Sequence, residues 1–236
     1  MALRILLLTV WLGLAGAGFA YHHIGPGQER VKIDQAADLI RAAEQAAAAE
    51  DYDLAIEKYD EAMKLLPAER KGEIRKLRLE KAKAQMLAHA LPEAHADLKA
   101  LVDELAGDCD ADAALLADAR ASLANSQYYT TWLMRLEGLA REEWEPEIEA
   151  ARQAYKLLAE DAAKRGDTAL AAKYREDLES VIRLERMDLS ELQGLALPKQ
   201  CKGCCSCKGK RPSKNVKKGP PARGAGPAPP LDDTGH

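Results

Sequence analysis

The residues best suited to chemistry are four cysteines near the C-terminal end. Cys201, Cys204, Cys205 and Cys207 lie in the run Cys-Lys-Gly-Cys-Cys-Ser-Cys. C-x-x-C and C-x-C spacings let neighbouring thiolates share a soft ion, Cu(I) or Zn(II). Structural zinc sites usually draw on two separated cysteine pairs, so one ion wrapped by this single short loop would be strained. A metallothionein-like cluster fits the density better. In an exported chain the same thiols tend instead to become disulfides, within or between molecules. A third reading gives them no specific role. The fifth cysteine, Cys109, sits between Asp108 and Asp110 and reads as a free thiol near a loop.

Histidine offers less. Tyr21-His22-His23 would become the mature N-terminus if a leader were cut after Ala20. A free amine with a third-position imidazole binds Cu(II) or Ni(II) in a square plane. His89 and His95 flank the Leu91-Pro92 turn, lack a third ligand and read as exposed turn residues. No phosphate-binding glycine loop, H-E-x-x-H or G-x-S-x-G occurs, so an enzyme is not expected.

Charge divides the chain. The formal net charge is −4; residues 199–236 hold nine Lys/Arg against two Asp, and 1–20 hold only Arg4, which leaves −12 on 21–198. A basic tail on an acidic body can meet an acidic surface, its own body included. The stretch from Lys208 to Lys218 suits anionic lipid or envelope polymers. Nucleic acid is not expected as a partner, because the stretch has no interleaved aromatics for base stacking and the chain reads as exported. Residues 199–236 are rich in Lys, Gly and Pro without amphipathic period and read as a disordered tail.

The elements that must position any site are helices. Hydrophobic residues make up 47% of the chain but aromatics only 5%, an Ala/Leu-dominated mixture that favours helix over strand. Residues 1–20 have the order of a secretory signal: Arg4, an apolar run from Ile5 to Leu14, then small residues ending at Ala20. Left uncut, that segment is short for a spanning helix but near enough to anchor the chain in a membrane. Further on, Leu39, Ile40, Ala43 and Ala47 recur at helical spacing behind Asp34, a plausible N-cap. Glu50–Asp53 break the pattern, and a second helix from Leu54 to Leu66 stops at Pro67. Prolines at 92 and 146 suggest two later helix starts.

Asp51, Tyr52, Ala55, Tyr59, Ala62 and Pro67, within DYDLAIEKYDEAMKLLP, resemble a tetratricopeptide repeat. Degraded echoes follow at Ala94, Leu98 and Leu101, and at Ala151, Tyr155 and Leu158. The resemblance implies an all-α fold: a helical-hairpin solenoid of about seven helices over 34–187. Its hairpins would be 34–66, 71–106 and 111–165, with a capping helix near 167–187. It also implies a concave partner-binding face, with Ala37, Ile40, Glu44 and Ala47 on the first repeat and Lys76, Leu79 and Lys83 on the second. The family's basic-and-Asn clamp for a peptide carboxylate is not reproduced.

Tyr128 and Trp132 share a helical face. They read either as core packing or as an anchor patch for a partner. Glu142, Glu143, Glu145, Glu147 and Glu149 cluster at an expected helix start, where the dipole favours them. Together these features suggest an exported scaffold, periplasmic or envelope-associated, that binds a protein or peptide through its helical surface and tethers through its tail. The alternatives are a Cu- or Zn-thiolate protein centred on the four tail cysteines and a membrane-anchored assembly factor.

Overall fold

The computed structural model describes residues 10–14, 26–195 and 198. Val10–Leu14 are helical and exposed. The remainder of the signal-like segment, the histidines at 22 and 23, and the cysteine-rich tail lie outside the described residues.

Eight further helices follow among the described residues: α1 (Pro26–Ala48), α2 (Tyr52–Leu65), α3 (Lys71–Leu87), α4 (Leu91–Ala106), α5 (Ala113–Leu136), α6 (Arg141–Lys164), α7 (Thr168–Arg186) and α8 (Leu189–Gln193). No strand occurs among the described residues, and none of their helices is long and apolar enough to cross a membrane.

Local chemistry sets the boundaries. Four helices start behind an aspartate whose carboxylate accepts an otherwise orphaned backbone N–H: Asp51 from Leu54, Asp112 from Ala114, Asp167 from Leu170 and Asp188 from Glu191. Gly138 and Gly166 take φ of +78° and +80°, the left-handed geometry that lets α5 and α6 end in tight turns. The chain turns extended at Leu66, just before Pro67.

Two boundaries differ from the sequence expectation. α1 opens at Pro26, so Asp34 lies inside it rather than capping it; proline in a first turn sacrifices no helical bond. α6 opens at Arg141, where Glu143 Oε2 accepts from the Ala140 N–H at 3.0 Å. Pro146 is therefore interior to α6 and costs it one backbone bond. The short α8 is an addition that periodicity over so few residues could not reveal.

Short connections lay each helix from α2 to α7 against its predecessor, and the main contacts run between these chain neighbours. Beyond these, α3 touches α5 and α5 touches α8. Two hydrophobic clusters result. The first joins α1, α2 and one face of α3 through Ala36, Ala43, Ala55, Ala62, Tyr59 and Leu77. The second runs from Leu79 and Met86 on α3 through α4–α7 to Leu192 on α8. α3 serves both, which ties the two into one body.

Candidate binding cleft

One concavity lies where the start of α4, the second half of α5 and the start of α6 meet. It is a cleft of about 450 Å³. Its floor is apolar: Leu91 and Pro92 from α4, with Thr130, Leu133 and Met134 from α5. Its polar wall is Glu137, Glu143, Glu147 and His95. Among the described residues no lysine or arginine lines it. Convergent polar groups over an apolar floor are the usual form of a binding site.

The wall has a defined hydrogen-bond order. Ser126 Oγ donates to the Leu123 carbonyl at 2.7 Å. It also lies 3.2 Å from His95 Nδ1. His95 Nε2 then points at Glu147 Oε2, 3.7 Å away. That oxygen is enclosed and accepts no hydrogen bond from the chain. A serine, histidine and glutamate in sequence suggest acyl chemistry, but Ser126 is 0% exposed and has committed its proton elsewhere. The trio therefore lacks an activated nucleophile; it is a positioned wall. His95 is half-buried, not the exposed turn residue its neighbours suggested. His89 is exposed, with φ of +62°.

A second cavity, about 540 Å³, separates α3 from the α4–α5 turn. Two of its acids, Asp108 and Asp112, are already engaged. Arg75 donates from Nε to Glu104 at 2.8 Å and from Nη1 to Asp108 at 2.6 Å, and Arg78 also pairs with Glu104. Arg75 holds the carboxyls of both Glu104 and Asp108 below their ordinary range. Asp112 is spent on capping α5. No group of His, Cys, Asp or Glu among the described residues is arranged to hold a metal. Cys109 is a free, exposed thiol.

The residues the sequence nominated for partner contact separate into two sets. Ile40 is half-buried on α1, while Glu44 on α1 and Lys76 on α3 are exposed. Leu79, Tyr128 and Trp132 are 2%, 5% and 6% exposed and belong to the larger core. Tyr128 and Trp132 meet edge-on with centroids 5.9 Å apart, an arrangement that stabilises an interior. Lys83 is buried too. Burial pulls its pKa down, but Asp118 and Glu80 outweigh that and hold it above the ordinary value. Its ammonium reaches Asp118 at 2.7 Å and Glu80 at 2.9 Å, which fastens α3 to α5. These four side chains are consumed by the fold. Trp144 is likewise buried, with the Arg135 guanidinium 4.7 Å above its ring.

Sequence reasoning singled out Glu143, Glu147 and His95 but not their convergence, and it missed Met134 and Glu137. The available signal was the acidic run beginning at Glu137 beside apolar Leu133 and Met134. Only packing shows that Pro92 and His95, from another helix, complete the same wall. Comparison with protein-family models, curated proteins and solved structures returns no match.

Proposed function

We propose that this chain is an exported, tetratricopeptide-like scaffold that binds a cationic, partly apolar segment of another protein. The observation that carries the reading is the cleft between α4, α5 and α6: an apolar floor under three glutamates with no lining cation. Lysine or arginine side chains would meet the glutamates while their stems or neighbouring apolar residues cover the floor. Packing of α1 to α7 mainly on their chain neighbours supports a stacked-hairpin architecture, in which faces remain free for partners. The signal-like order of residues 1–20 supports export.

The test is calorimetric titration of the full-length chain with a ten-residue peptide alternating lysine and leucine. Saturable binding is expected, weakened about tenfold by Glu137→Gln, Glu143→Gln and Glu147→Gln together. A peptide alternating glutamate and leucine should not bind. Equal binding of both peptides would remove the reading.

A second reading, thiolate binding of Cu(I) or Zn(II), is favoured by four cysteines within seven residues at 201–207. Metal content of the purified chain, with those four cysteines present or replaced by serine, decides it. Equal, negligible copper and zinc in both would end it.

A further inference from the structure

The cleft described above has a ready occupant in the chain itself. We propose that the basic segment Lys208–Lys218 docks across it and competes with outside ligands. This rests on the reading of the cleft as a site for cationic segments, and it adds a source and a regulation.

Three observations support the assignment. The first is charge. Lys208, Lys210, Arg211, Lys214, Lys217 and Lys218 give six cations and no acid in eleven residues. Pro212 and Val216 supply small apolar surface between them. The cleft presents the complement, Glu137, Glu143 and Glu147 over Leu133 and Met134.

The second is selectivity among the concavities. The cavity beside α3 has its Asp108 already bound to Arg75 and carries Lys71 and Lys76 as well. The hollow on α7 and α8 is edged by Arg183 and Arg186. Either would repel or ignore a cationic strand. Of these three, the α4–α5–α6 cleft is the one lined by acids with no lysine or arginine among them.

The third is reach. α8 packs on α5, the helix that supplies most of the cleft floor, and Arg135 of α5 donates to the Leu184 and Met187 carbonyls just before it. The last helix-flanking residue described is Leu195. Thirteen residues on, Lys208 can stand roughly 40 Å away when extended, about the full length of a helix the size of α5. A tethered ligand of this kind reaches millimolar effective concentration, enough for a weak electrostatic contact to be well populated.

The test joins carboxylate to lysine directly. Full-length chain, half of it labelled with 15N, is treated with a zero-length carbodiimide under reducing conditions and mapped by mass spectrometry. Amides are expected between lysines 208–218 and Glu137, Glu143 or Glu147, within chains of one isotope. Their yield should exceed that to exposed Glu44 and Asp38 about tenfold and fall steeply as salt rises. Absence of those links, even spread over the exposed acids, or links only between differently labelled chains would overturn the proposal. The alternating lysine–leucine peptide separates the two claims. If it binds the cleft while the tail links are missing, the tail assignment fails and the binding reading stands. If it also fails to bind, both fall.

Discussion

The two hydrophobic clusters solve the same problem with different materials. Around α1 and α2 the interior is an alanine seam: Ala36, Ala43, Ala46, Ala55 and Ala62, with Tyr59 as its one large member on those helices' facing sides. Small side chains let two backbones approach closely but remove little apolar area from water. From α3 onward the interior is built of Leu98, Leu101, Leu105, Ile148, Tyr155 and Leu184, each below 2% exposure. That region also admits polar groups, two of which bond to their own helix: Thr131 donates to the Gln127 carbonyl at 2.8 Å, and Ser126 to Leu123. The lesson concerns where a site can be built. The cleft opens among the larger side chains, where α4, α5 and α6 meet.

The comparison is most directly broken through its aromatics. Tyr155 is fully buried beside Tyr174, with centroids 6.3 Å apart. Tyr155→Ala should cost about 3–5 kcal/mol, read as a shifted urea midpoint for the whole chain. Tyr59→Ala should instead release α1 and α2 from the body. Hydrogen exchange would then quicken over 26–65 and leave 113–186 protected. Identical, global loss in both variants would erase the distinction between the regions.

Overpacking the seam sharpens it. Ala43 is 0% exposed, so Ala43→Leu should cost about 1–3 kcal/mol, with the faster-exchanging amides confined to α1 and α2. A comparable loss is expected at the far end from Arg135→Met. Arg135 is buried, and burial holds its pKa below the ordinary value. Its removal leaves the Leu184 and Met187 carbonyls without their donor, which costs about 1–3 kcal/mol and loosens the junction of α7 and α8.

The smallest effect lies in acid. Glu104 and Asp108 both titrate below their ordinary values of 4.5 and 3.8, chiefly because Arg75 donates to them. A depressed carboxyl stabilises the fold above its unfolded value and loses that contribution as pH falls through its folded value. The melting temperature should hold from neutrality to about pH 5 and decline below pH 4. In Arg75→Gln that part of the decline should be shallower. An unchanged acid limb would mean that the arginine clasp carries no stability of its own.

Much of the helical plan could be read from the residues. Asp51, the turn before it and the stop at Pro67 are local rules acting within a few residues, and the structure obeys them. Pro146 misled because proline also tolerates a second-turn position when packing holds the helix, and here Trp144 and Ile148 are buried on either side of it. Asp34 misled because Pro26 offers an equally good start further upstream. The cleft was the least readable part. Glu143 and Glu147 stood out as charges, but their meaning depends on His95 arriving from α4 to share their wall. Lys83 shows the reverse case: its position suggested a ligand contact, and two acids, one from a different helix, claim it for the core.

The account rests on the cleft being the surface that receives a cationic segment. Hydrogen–deuterium exchange of the full-length chain, with and without saturating lysine–leucine peptide, tests this most directly. Protection is expected at 91–95, 130–137 and 143–147, with 26–65 unchanged. Protection centred on α1 and α2, or no protection anywhere, would contradict it.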